Sequence, residues 1–268
     1  YRNGTGSIPW YDGTKFAKES DIVVVTINYR LGALGFARIP DAPTSGINGT
    51  LDQIAALTWV KNNIRNFGGD PEQVTIAGES AGAFSVSTIM AMPQSRGLYC
   101  RAITQSGAGH HVITPKEAEA AGKLLMEHVG AKSLHDLQAL TVDEILEAQK
   151  YVEENSDGFM SVGQLPFYPS ITPDFLTDHP IALFQKGVGA DIPLLTGTNT
   201  DETTLWGTNQ IPAEKLEKWL KNYVNEPNPF IEAVRKDRGE ISAGEIAVAI
   251  STDYTFRIPA IQMAEARQ

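Results

Sequence analysis

Nearly continuous apolar runs alternate along this chain with apolar residues spaced three and four apart. Residues 21–29 read DIVVVTINY, which predicts a strand covered on both faces of a mainly parallel sheet. Leu51, Ile54, Leu57, Val60, Ile64 and Phe67 then form one stripe of a helix, and Gly68-Gly69 supplies its stop. Residues 73–77 are a short β-rich run, and residues 83–92 continue as an apolar helix. Residues 102–105 predict another strand. In the helix that follows, Ala121, Leu124, Leu125 and Val129 share a face, with Thr114 as N-cap and Pro115 at the first helical position. From 114 to 186 the texture is mostly helical, with an irregular stretch at 159–173, and we read it as an excursion on top of the sheet. Residues 192–196 (IPLLT) restore a buried strand. Leu216, Trp219, Leu220, Tyr223 and Val224 predict a further helix, and residues 243–267 a last one, broken near Pro259. No internal repeat or low-complexity linker interrupts the pattern.

Such alternation implies an α/β fold, a doubly wound parallel sheet with helices on both faces, and 268 residues leave room for one large domain of this kind or two small ones. Function in these sheets gathers at the carboxyl ends of strands. One strand end carries residues 74–82, VTIAGESAG, in which a β-rich run breaks into Gly78-x-Ser80-x-Gly82. A serine hydroxyl is a weak nucleophile at neutral pH, and it gains reach when lifted onto a sharp strand-to-helix turn beside a base. The flanking glycines let strand and helix approach closely. Short motifs recur by accident, but the strand before this one and the helix after it nominate Ser80 as a nucleophile. A later strand end carries Asn199-Thr200-Asp201-Glu202. Serine followed by a later carboxylate is the chain order of an α/β-hydrolase, with Asp201 and Glu202 both open as the acid.

Composition narrows the field. The 268 residues, 42% hydrophobic, are enough for a large core. No run of about 18 apolar residues offers a membrane span, and no lipid-anchor motif is present. A net charge of −10, from 22 basic and 32 acidic residues with the basic ones scattered, speaks against a nucleic-acid partner. One cysteine, Cys100, excludes an internal disulfide and fits a reducing compartment, so the cytoplasm is the expected location and secretion the other reading. Asn3-Gly4-Thr5 and Asn48-Gly49-Thr50 match the glycosylation acceptor pattern and are read as chance. The sequence does not speak to oligomeric state.

Residues 45–82, SGINGTLDQIAALTWVKNNIRNFGGDPEQVTIAGESAG, resemble the signature of type B carboxylesterases, the family of bacterial para-nitrobenzyl esterases and animal cholinesterases. Trp10-Tyr11-Asp12-Gly13, Asn28-Tyr29-Arg30-Leu31-Gly32, Gln105-Ser106-Gly107 and residues 197–202 (GTNTDE) resemble further family blocks in family order. The likeness runs the length of the chain and is nearer the bacterial esterases, because the cysteines of the animal disulfides have no counterparts. It implies an α/β-hydrolase fold and a serine carboxylesterase that acts on a small-molecule ester without cofactor or metal. By the same resemblance Ser80 is the nucleophile, the Ala81 N–H an oxyanion-hole donor and Glu202 the acid, with Thr203 where the family usually has glycine. Glu79 resembles a carboxylate that tunes the site, Ser106 a serine beside the acid, and Arg30 with Asp52 an ion pair of the scaffold.

A triad of this kind needs a histidine after the acid. The five histidines, His110, His111, His128, His135 and His179, all precede Glu202. We place His128 on the apolar face of its helix as a packed or boundary residue. His110 and His111, next to the Ser106 strand, lie near the pocket in this reading, but as neighbours in an extended segment they point oppositely and form no chelate. Neither an H-E-x-x-H motif nor a cysteine cluster offers a metal site. The family's Gly-rich oxyanion segment would lie directly before the stretch matching residues 1–13, and its histidine beyond the helix that residues 260–268 resemble. The chain is therefore expected to be a central fragment, truncated at both ends, inactive alone. The rival reading is a catalytically inactive cholinesterase-like binding module; lipase or amidase action stays within the hydrolases. Phe159, Phe167, Tyr168 and Trp206 are candidate pocket residues, and short-acyl or aromatic esters the expected substrates.

Overall fold

Three short strands and the turns at their ends organise the molecule. The computed structural model describes residues 1–156 and 165–267. In chain order its principal elements are α1 (Thr14–Glu19), α2 (Gly32–Phe36), α3 (Asn48–Asn63), β1 (Thr75–Glu79), α4 (Ala81–Ala91) and β2 (Arg101–Gln105). There follow α5 (Pro115–Val129), α6 (Leu134–Gln138), α7 (Val142–Glu154), α8 (Pro180–Gln185) and β3 (Leu194–Gly197). The chain closes with α9 (Leu216–Leu220), α10 (Pro227–Arg238), α11 (Ala243–Thr252) and α12 (Ile258–Glu265). The strands pair in parallel in the order β1-β2-β3, with Thr75 opposite Arg101 and Ala102 opposite Leu194.

Helix boundaries follow local chemistry. Thr114 caps α5 through a reciprocal pair, its hydroxyl accepting from the Glu117 N–H while the Glu117 carboxylate accepts from the Thr114 N–H, with Pro115 in the first turn. Gly130, at φ 71°, ends it. The stripe predicted over residues 51–67 is α3 followed by a 3-10 turn, Ile64–Phe67, and Gly68 closes it at φ 83°. Ile54, Val60 and Ile64 are buried, whereas Phe67 lies outside against Trp59, ring centroids 5.7 Å apart.

Apolar side chains gather on both sides of α4. Ile76, Val86, Met90, Ala102, Phe184 and Met263 pack as one cluster; Phe36, Phe84, Leu125, Ala148, Val152 and Phe256 pack as another. A third cluster joins α9, α10 and α11 through Leu216, Leu220, Ile231, Ile246 and Ile250.

Three expectations change. Residues 21–29 join no ladder among the described residues, and Ile22, Val23, Val24, Val25 and Ile27 are exposed. An apolar run reads the same whether or not neighbouring layers cover it. The helix read over Leu216 to Val224 ends at Leu220, with Tyr223 and Val224 in the turn beyond. The last helical stretch is not broken at Pro259. A π-helical turn, Asp253–Arg257, interrupts the α-helical pattern just before Pro259 and links α11 to α12 with the backbone still helical, so Pro259 falls in the first turn of α12. Helix α10, whose Pro227 falls in its first turn, was not foreseen.

Candidate active site

The chain leaves β1 through a residue in a conformation that side chains rarely adopt. Ser80 has φ 52° and ψ −119°, and Ser106, at the end of β2, repeats the positive sign with φ 54°. Such backbone persists where neighbours over-determine it. The Ser80 N–H donates to the Gln105 carbonyl at 2.9 Å, and its carbonyl accepts the first α4 bond, from Phe84 N–H at 3.0 Å. Ser106 N–H donates to the Gly197 carbonyl at 2.8 Å. The Ser80 hydroxyl caps nothing, so it stays available at the helix start.

Gly78 is what allows the turn to be this tight. A Cβ placed there would lie 2.2 Å from the carbonyl carbon and oxygen of Gly82 and 2.7 Å from Ala83 N. The two glycines are not equivalent, contrary to the sequence reading. A Cβ on Gly82 would meet nothing within 4 Å, so Gly82 contributes its backbone's nearness to Gly78. Ala81 opens α4, and its N–H is one of the donors that a helix leaves without internal partners, at the positive end of the dipole.

Glu202 stands at the start of a 3-10 turn, Glu202–Trp206, beyond β3. Asn199 holds its carboxylate: the backbone N–H donates to Oε1 at 2.8 Å and Nδ2 to Oε2 at 3.2 Å, while Nδ2 also lies 3.5 Å from Ser106 Oγ. Asn199 and Ser106 thus join the acidic turn to β2. Sequence reasoning missed Asn199, although an acidic residue three positions after a polar one is half of a capping box and could have flagged it. Asp201 turns to the surface, 3.5 Å from Arg238. Partial burial, and then the charge of Glu202, raise the Glu79 carboxyl above its ordinary value, so these two acids sense one another. Arg30 and Asp52 pair in a fork, Nε to Oδ2 at 2.8 Å and Nη2 to Oδ1 at 2.7 Å, and Asp52 also accepts from the Arg30 backbone N–H.

The histidine pair corrects another expectation. His110 and His111 do not point oppositely; their rings lie 4.1 Å apart, centroid to centroid, because the chain turns at Gly109 instead of running extended. His111 stacks on Phe84 at 3.8 Å. Burial, with His179 nearby, lowers the His110 imidazole to about 3, and burial, with His110 beside it, holds His111 well below the ordinary value. Imidazoles that stay neutral to such low pH are poor proton acceptors. His128 is exposed, with its ring stacked on Tyr151 at 4.0 Å. Among the described residues, no group of three or more His, Cys, Asp or Glu could hold a metal ion, and no helix is long and apolar enough to cross a membrane. Of the pocket candidates, Phe167 is core, Tyr168 packs on Tyr1 and His111, Trp206 is exposed, and Phe159 lies outside the described residues.

The carboxylesterase family model matches residues 1–268. The chain belongs to the carboxylesterase family. It is 35% identical over 273 residues to the para-nitrobenzyl esterase of Bacillus subtilis (strain 168), an alignment covering 98% of this chain and 54% of that protein. With the cholinesterase of Mus musculus it shares 39% over 214 residues, 76% of this chain and 35% of that one. The carboxylesterase EST55 of Geobacillus stearothermophilus superposes with a TM-score of 0.85 at 33% identity, over 98% of this chain and 56% of that structure. A para-nitrobenzyl esterase structure matches at 0.83 and 34%, over 99% and 57%. The fold is therefore that of the α/β-hydrolases, and the chain spans about half the length of these bacterial relatives.

Proposed function

We propose that the protein carrying this chain is a carboxylic-ester hydrolase that works through an acyl-enzyme on Ser80. The observation that carries this reading is the elbow, where a serine at φ 52°, whose hydroxyl makes no cap bond to the helix, stands directly before the α4 N-terminus. In the proposed reaction Ser80 Oγ attacks the ester carbonyl and its proton passes to a histidine. The new oxyanion rests on the Ala81 N–H. Collapse of the tetrahedral adduct expels the alcohol, which takes the proton back, and leaves the acyl group on Ser80. A water molecule, deprotonated by the same histidine, then releases the acid and restores the serine.

Glu202 would orient and electrostatically support that histidine, with Asn199 holding the acid and Glu79 adding negative potential. His110 and His111 suit the base role poorly, given their depressed affinity for protons, so this reading assigns the base to a residue outside these 268. The domain reading is likewise a single α/β-hydrolase unit over 1–268, with residues 114–186 as its excursion. Substrates would be small short-acyl or aromatic esters.

Titration of the whole protein with a fluorophosphonate should label it once, and Ser80→Ala should abolish both labelling and hydrolysis of para-nitrophenyl acetate. Labelling that survives Ser80→Ala overturns the assignment, and no labelling of the parent favours the inactive binding module. A preference for para-nitrophenyl palmitate over acetate and butyrate would contradict the substrate class.

A further inference from the structure

The turn that carries Glu202 is fastened on both of its sides to one helical stretch far along the chain. Before the acid, Arg257 Nη2, in the π-helical turn, donates to the Thr200 carbonyl at 3.2 Å. After it, Thr203 Oγ1 lies 2.7 Å from Ser251 Oγ, with the two residues 1% and 0% exposed. The protons in this second contact can be assigned. Ser251 Oγ lies 2.7 Å from the Ala247 carbonyl and 3.3 Å from that of Val248. Carbonyl oxygens only accept, so the single hydroxyl proton of Ser251 is committed to its own helix. Its oxygen must then accept from Thr203. The order of donation is Thr203 to Ser251 to Ala247, an ordered chain between buried residues.

We propose that Thr203 is a positioning residue for Glu202, acting through Ser251 to seat the acid-bearing turn on α11. The inference rests on the reading of Glu202 as the acid that orients the catalytic histidine. Glu202 and Thr203 are adjacent in one 3-10 turn, so a shift of Thr203 moves the backbone that aims the carboxylate. Asn199 fixes the carboxylate itself, through its backbone N–H and its side-chain amide. The Thr203 hydroxyl fixes the turn that carries it.

The contact distance sets the size of the expected effect. In Thr203→Val a methyl replaces a hydroxyl at 2.7 Å from Ser251 Oγ, whereas carbon needs about 3.5 Å. The turn must move outward by most of an ångström, and a displacement near 1 Å at a catalytic group costs about 10²-fold in rate. In the whole protein, Thr203→Val should lower kcat for para-nitrophenyl acetate by about 10- to 100-fold, with KM within about threefold. Thr203→Ser, which keeps the donor, should recover most of the loss. A purely structural role would not produce the decisive result: in a Glu202→Gln background Thr203→Val should change kcat by less than about twofold, because residues that act through one another are not additive.

Parent-like kcat in Thr203→Val, or the same loss with and without Glu202, overturns the inference while leaving the esterase reading intact. If Glu202→Gln alone leaves kcat unchanged, the assignment of the acid fails, and this inference with it. Should Thr203→Val not fold, Ser251→Ala, which strands the Thr203 donor without an acceptor, takes its place in both backgrounds with the same expectations.

Discussion

Replacing Gly78 by alanine should damage the elbow far more than the same change at Gly82, only four residues away. The added Cβ at position 78 would sit 2.2 Å from the Gly82 carbonyl carbon and oxygen. Carbon atoms rest about 3.5–4.0 Å apart, so β1 and the start of α4 must separate by about 1.3 Å or more at this point. All three atoms in the way belong to backbone, and none can swing aside as a side chain would. Overpacking of this sort costs about 1–3 kcal/mol. At about 2 kcal/mol the thermal midpoint should fall by roughly 4–8 °C for a folding unit of this size. The kinetic loss should be larger in proportion, about 10²-fold, because Ser80 and the Ala81 N–H move apart from whatever they address. At position 82 the added methyl meets open space, so Gly82→Ala should keep the parent's midpoint or raise it by the equivalent of ~0.4–1 kcal/mol. The assay pairs thermal unfolding with the rate of fluorophosphonate labelling in the whole protein. A Gly78→Ala variant that melts with the parent and labels at the parent's rate would refute the close-approach argument.

Two further outcomes test the electrostatics. Glu202→Gln should lower kcat by about 10³- to 10⁴-fold while Asp201→Asn, which alters only a surface contact with Arg238, stays near the parent; equal losses would undo the choice between these acids. Burial holds His110 near 3 against an ordinary 6.5, so the unfolded chain binds the extra proton between those values and stability must fall as pH drops through that window. His110→Gln should flatten the fall of the thermal midpoint between pH 6.5 and 4, by an amount on the order of a few kcal/mol. Identical slopes in parent and variant would count against the burial argument.

How much of this could be read in advance depended on how local the physics was. The elbow was legible because glycine at 78, the β-rich run before it and the apolar helix after it are all encoded within some twenty residues of one another. Thr114 and Pro115 announced the start of α5 for the same reason. Alternation placed Ser80 and the 199–202 turn at strand ends, while the choice of Glu202 over Asp201 and the interest in Ser106 came from the family resemblance. The histidine pair was misread because a turn at Gly109 overrides the alternation assumed for an extended chain. Residues 21–29 were misjudged because apolar content reports a preference for burial, and burial needs a neighbour that the pattern does not specify. The Thr203–Ser251 bond joins positions 48 residues apart, and neither hydroxyl is unusual in its own surroundings.

The parallel order β1-β2-β3 has one more implication, for how such a site can change over time. Ser80, Ser106 and the Asn199–Glu202 turn leave three adjacent strands, and adjacent strands lie about 4.8 Å apart. The span from the serine's backbone to the acid's turn is therefore about two strand spacings, roughly 10 Å, a gap that a single imidazole with its two ring nitrogens can bridge. The hydrogen-bonded lattice works as a ruler. The chain between β2 and β3, from α5 through α8, can be lengthened, shortened or resculpted without resetting that distance. Under the proposed function, residues around the site could change with the ester while the spacing between Ser80 and the Glu202 turn is inherited unchanged from the sheet.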